Sequence, residues 1–189
     1  GLLPGFRLSE LGEQMAVRAA EALAYRDVTV VTSSPLERAQ QTAAPVAQAH
    51  GLDVGTDADL IEALNVFEGQ RVSVGDGALR RPAAWRHLYN PFKPSWGEPY
   101  TELAARMRVA IASARDAARG HEAVLVSHQL PIWIARLDAE GRRFVHDPRR
   151  RQCGLASLTS LRYEYDELVA ITYVEPSADL VAAAGPDAA

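Results

Sequence analysis

The stretch Val28-Thr29-Val30-Val31-Thr32-Ser33-Ser34-Pro35-Leu36-Glu37-Arg38-Ala39 constrains the fold more than any other part of the chain. Val28 to Val31 is a β-branched run of the kind buried inside a sheet, and Ser34 with Glu37 reads as a capping box with Pro35 at the first helical position. A strand feeding directly into a helix belongs to the strand–helix–strand units that build parallel sheets. At such a junction the first-turn N–H groups, the positive end of the helix dipole and the guanidinium of Arg38 about one turn in face one point beyond the strand's carboxyl end. An oxyanion such as phosphate is the ligand that this point suits. The same residues also fit a plain βα turn whose Arg38 pairs with a surface carboxylate.

The rest of the chain repeats the alternation. Ser9 is the expected N-cap of a helix running to about Tyr25, with Leu11, Met15, Ala19 and Leu23 on one face. The helix from Pro35 is expected to reach His50 with Gly51 as its C-cap, followed by a short strand at 52–54. Residues 71–96 are irregular, broken by Gly75, Gly77, Pro82, Pro91 and Pro94. A helix over about 101–119 stops at Gly120. Ala123-Val124-Leu125-Val126-Ser127-His128 is a second buried-type strand, with Pro131 marking the next helix start. Residues 155–163 and 168–174 form an expected hairpin around Tyr165-Asp166-Glu167. The pattern predicts a three-layer α/β/α fold with a mostly parallel sheet, as one domain over 1–175 and a flexible tail over 176–189.

Composition narrows the partners. A 189-residue chain that is 48% hydrophobic and 23% charged supports one well-buried core, and its net charge of −4 disfavours nucleic acid and anionic membrane surfaces. A small molecule is the expected partner. Cys153 is the lone cysteine, no cluster has metal-ligand spacing, and no apolar run is long enough to span a bilayer, so the expected compartment is the cytoplasm. The runs Arg142-Arg143 and Arg149-Arg150-Arg151 are either a solvated face or a rim that attracts an anionic substrate. His128 stands at a strand's carboxyl end beside a helix start, where open α/β sheets bind ligands.

Three segments resemble one family. Thr-Ser-Ser-Pro-Leu-Glu-Arg-Ala-Gln-Gln-Thr-Ala, Leu60-Ile61-Glu62 with Phe67-Glu68-Gly69, and Val-Ser-His-Gln-Leu-Pro-Ile resemble motifs of the histidine phosphatase superfamily, the phosphatases and mutases related to cofactor-dependent phosphoglycerate mutase. The resemblance implies that Arg38 holds the phosphoryl group beside Ser33, and that His128 is a second pocket imidazole with the Gln129 backbone N–H as a phosphate donor. It implies Glu62 as the proton donor to the leaving oxygen. The spacing to Glu68 is one residue short of the expected pattern, so Glu68 is the alternative donor. Trp85, Tyr89, Phe92 and Trp96 are candidates to line the substrate pocket from a lid, or form a small cluster pinning a loop.

The implied reaction is phosphomonoester hydrolysis through a phosphohistidine on a small phosphorylated metabolite. Cationic side chains supply the charge stabilisation, and no metal or cofactor is implied. The alternatives are a phosphomutase of the same superfamily and a catalytically dead phosphate-ligand binder. The family's nucleophile lies in an Arg-His-Gly motif, and none of His50, His87, His121, His128 or His146 sits in one. Either the sequence lacks an N-terminal segment or the protein lacks its nucleophile. The resemblance is taken to put that strand between the strands ending at Thr32 and Ser127. With it missing, a slot there or direct pairing in a shifted register is expected.

Overall fold

The computed structural model describes residues 5–63 and 97–184. Its elements in chain order are α1 (Glu10–Leu23), β1 (Val28–Ser33), α2 (Glu37–His50), β2 (Val54–Thr56), a 3-10 turn (Ala58–Leu60), α3 (Tyr100–Ala117), β3 (Glu122–Val126), α4 (Gln129–Ala139), a second 3-10 turn (Pro148–Arg150), β4 (Leu158–Glu164), β5 (Glu167–Val174) and α5 (Ala178–Ala184). No helix among the described residues is long and apolar enough to cross a membrane.

The strand order β2-β1-β3 gives a parallel three-stranded sheet, and β4 and β5 pair as a separate antiparallel hairpin. No slot separates β1 from β3. They bond directly, with Val31 opposite Val124 and Ser33 opposite Val126, and the register shifts once, between Val28 and Val30. That irregularity has a packing reason. In an unbroken strand Val28 and Val31 would face opposite sides, since side chains alternate. The extra residue turns both toward the same cluster, and both are buried there.

Two clusters make the outer layers. On one face, Ala20 and Leu23 of α1 and Ala43, Val46 and Ala47 of α2 pack over Val28 and Val31, with Val124, Val126 and Leu158 alongside. On the other, Leu103, Ala104 and Met107 of α3 meet Ile134 and Leu137 of α4 and Leu60 of the 3-10 turn, with Leu125 against them. Val124 and Val126 turn to the first face and Leu125 to the second, which is the alternation of a strand covered on both sides. Arg115 of α3 reaches the hairpin, its guanidinium 3.8 Å above the Tyr163 ring and 3.1 Å from Asp166.

Two local expectations are corrected. The capping box at Ser34 does not form: α2 begins at Glu37 with Leu36 as its N-cap and no side-chain cap bond. Glu37 instead pairs with Arg7 at 2.9 Å, and the Ser34 hydroxyl has another partner, described below. Helix α4 starts at Gln129, two residues before Pro131, which sits in the first turn where its missing N–H costs nothing. Within the expected tail, Ala178–Ala184 is helical behind a buried Ser177.

Candidate active site

The carboxyl ends of the three parallel strands converge. After β1 the chain passes Ser33 and Ser34 into α2, after β2 it enters the 3-10 turn leading to Glu62, and after β3 it passes Ser127 and His128 into α4. Backbone bonds lock these ends together: the Ser34 N–H donates to the Val126 carbonyl at 2.8 Å and the Asp57 N–H to the Ser33 carbonyl at 3.0 Å. The Ser127 hydroxyl donates to the Leu60 carbonyl at 2.6 Å. The start of α4 therefore points into the same crevice as the start of α2, and the backbone N–H of Gln129, first in its helix, has no acceptor within the helix.

Arg38 and His128, 90 positions apart, meet there. A guanidinium N–H of Arg38 donates to His128 Nδ1 at 3.4 Å, and His128 Nε2 lies 2.9 Å from the Ser34 hydroxyl. Since arginine only donates, Nδ1 is the acceptor and Nε2 carries the proton, so His128 is neutral and gives its N–H to Ser34. Burial is the main reason the imidazole pKa falls from 6.5 to about 4, and the charges of Arg38 and Arg106 push the same way. The Ser34 hydroxyl also accepts the Leu36 N–H at 3.4 Å, ahead of the helix that begins at Glu37. Arg38 lies in the first turn of α2.

Glu62 follows the 3-10 turn, partly buried, with Oε1 accepting the Ala63 N–H at 2.9 Å. Burial raises its carboxyl pKa, against opposing contributions from that bond and from the charges of Arg38 and Arg151. A carboxyl whose pKa is raised by burial keeps its proton to higher pH than an exposed one.

The other candidates divide. Ser33 is fully buried and its hydroxyl donates to the Ser34 carbonyl at 2.8 Å, so Ser34 rather than Ser33 presents its oxygen to His128. The Gln129 side chain is turned aside, donating to the Cys153 carbonyl at 2.9 Å. Glu68, Trp85, Tyr89, Phe92 and Trp96 lie outside the described residues. His50 binds the Leu23 carbonyl, His121 pairs with Asp27, and His146 binds the Phe144 carbonyl. Burial pushes the Cys153 thiol up to about 11.

Sequence reasoning missed Arg106. Its Nε and one Nη bind both oxygens of Glu98 at 2.8 and 2.9 Å, and its other Nη binds the Asp59 carbonyl. This pair, with each side chain only 14% exposed, holds the turn that carries Glu62. The signal available in the sequence was Gly97-Glu98-Pro99 just before a helix containing Arg106.

A sequence model described as the histidine phosphatase superfamily (branch 1) matches residues 3–175. The chain belongs to this superfamily. It is 57% identical over 178 residues to the protein Rv0525 of Mycobacterium tuberculosis, covering 94% of this chain and 88% of that one. It is 30% identical over 176 residues to a probable phosphoglycerate mutase GpmB of Yersinia pestis, covering 90% of this chain and 80% of the relative. Among solved structures it resembles mycobacterial glucosyl-3-phosphoglycerate phosphatase Rv2419c with inorganic phosphate, at a TM-score of 0.67 and 26% identity over 93% of this chain and 89% of that one.

Proposed function

We propose that this superfamily member serves phosphomonoester hydrolysis through a phosphohistidine, acting on a small phosphorylated metabolite, and that the cytoplasm is its compartment. The observation that carries the reading is the meeting of Arg38 and His128 at the ends of two adjacent parallel strands, under two helix starts. A tetrahedral dianion suits this place. Arg38 and the Gln129 N–H would hold the non-bridging oxygens, and the neutral His128 would gain a proton as the dianion arrives, becoming a second cation. In the first step a histidine nitrogen bonds to phosphorus as the ester P–O bond breaks, and Glu62 gives its proton to the leaving oxygen. In the second, Glu62 takes a proton from water as the water oxygen bonds to phosphorus, the P–N bond breaks and inorganic phosphate leaves. Relatives named as a phosphatase and as a phosphoglycerate mutase support the reaction class.

The attacking imidazole, by family resemblance, belongs to an Arg-His-Gly segment, which these 189 residues do not contain. The 189 residues alone are therefore expected to bind phosphate or vanadate and to release phosphate from p-nitrophenyl phosphate negligibly. A chain carrying an upstream Arg-His-Gly segment is expected to turn over, and in it Glu62→Gln lowers kcat by about 10²- to 10⁴-fold. Metal-free turnover by the 189 residues that is lost in His128→Ala would overturn this division of roles. Isomerised phosphoester in place of released phosphate would favour the mutase alternative.

A further inference from the structure

Ser34 is fully enclosed, and its neighbours fix its position. Its N–H donates to the Val126 carbonyl at 2.8 Å, its carbonyl accepts the Ser33 hydroxyl at 2.8 Å, and its Oγ accepts the Leu36 N–H at 3.4 Å. The bond to Val126 ties Ser34 to β3 just ahead of His128. His128 is anchored from its own side as the N-cap of α4, its carbonyl accepting the Ile132 N–H at 3.0 Å. The 2.9 Å contact between Ser34 Oγ and His128 Nε2 therefore joins two anchored groups at the ends of adjacent strands.

A serine hydroxyl can donate or accept, so this contact alone permits either imidazole tautomer. The tautomers differ at the other ring nitrogen. If Ser34 donated to Nε2, Nδ1 would carry the ring proton and meet the Arg38 guanidinium, donor against donor, across 3.4 Å. With Ser34 accepting from Nε2, the Nδ1 lone pair faces Arg38, and the two lone pairs of Oγ match the Leu36 N–H and the Nε2–H. The same arrangement serves the imidazolium. A proton from solvent adds at Nδ1, while Nε2–H keeps its acceptor and that bond strengthens because its donor now carries charge. The ring need not turn. Arg38 of α2 and Arg106 of α3 bear on the imidazole with like charge, so this proton is favoured only when an anion offsets them.

Resting on the phosphomonoesterase reading above, we propose that Ser34 is a positioning residue for His128. Its hydroxyl accepts Nε2–H in both charge states, and so fixes Nδ1 as the nitrogen that gains a proton and then hydrogen-bonds a phosphate oxygen. The contrasting account is that Ser34 only fills a buried polar position between β1 and α2.

Two measurements on the 189-residue chain separate the accounts. Long-range proton–nitrogen NMR of the histidine rings reports which nitrogen is protonated, and the ligand-free protein near neutral pH is expected to show His128 with the proton on Nε2. The second follows the His128 midpoint at saturating inorganic phosphate, together with the phosphate Kd at about pH 6. Ser34→Ala is expected to lower the phosphate-bound midpoint by about one pH unit and to weaken phosphate about tenfold, because the lost bond is stronger in the imidazolium than in the neutral ring. Ser34→Thr, which keeps the hydroxyl, is expected to recover most of both. The proton found on Nδ1 in the unaltered chain overturns the proposal. So does a Ser34→Ala variant that binds phosphate more weakly without moving the His128 midpoint, as a merely structural role would, or one that moves neither. A folded Ser34→Thr that behaves as Ser34→Ala overturns it too. If inorganic phosphate fails to bind the unaltered chain, the phosphomonoesterase reading itself fails and this proposal falls with it. Failure of the proposal alone shows as phosphate binding with His128 in the other tautomer, or with a bound midpoint that Ser34→Ala leaves in place.

Discussion

His128 shows how one residue's surroundings set both its charge and its effect on stability. Its imidazole is 8% exposed, accepts from Arg38 and donates to Ser34, so protonating it in the fold would place a cation against a cation. The pKa is lowered from 6.5 to about 4. Between those values the unfolded chain binds a proton that the folded chain does not. This contribution to stability is therefore complete above pH 6.5 and is lost as pH falls toward 4, by roughly 3 kcal/mol at about 1.4 kcal/mol per unit. Glu62 works the other way. Its raised pKa gives stability that is present at low pH and is lost as pH rises past the usual carboxylate range. Urea unfolding from pH 4 to 7 should show stability rising with pH, and His128→Gln should flatten most of that rise.

At the scale of elements, the position of the 3-10 turn depends on the Arg106–Glu98 pair. Removing one partner leaves the other's charge enclosed, so Arg106→Met is expected to cost about 3 kcal/mol. Glu98→Gln combined with Arg106→Met should cost less than the sum of the two single changes, as measured by urea unfolding. Phosphate affinity should stay within about threefold, because Arg106 supports the turn leading to Glu62 and does not contact the Arg38 site. The elements themselves were largely legible in the sequence. Strong period signals and Gly51 placed α1, α2 and the strands within a few residues. The helix starts were harder to read, since Ser34 could serve as a cap or as a partner for His128, and only the approach of β3 decides between them. The shift at Val28 was likewise hidden, because it answers to a helix pair that local sequence does not show.

At the scale of the whole molecule, the two apolar clusters clamp a parallel sheet whose carboxyl ends gather residues from 33 to 128 in one crevice. The placement of Arg38 beside His128 was legible because each follows a strand end in a distinctive motif. The Arg106–Glu98 pair was not, because it needs α3, the residues before it and the 3-10 turn to come together. The central claim is that this crevice is a phosphoryl site in which Arg38 and His128 act together. It is tested most directly by following the His128 imidazole by NMR through a pH titration, with and without inorganic phosphate. The account predicts a midpoint near pH 4 in the phosphate-free protein, an upward shift at saturating phosphate, and loss of that shift in Arg38→Ala. A His128 titration that phosphate leaves unmoved, in a protein whose fold is intact, would contradict it.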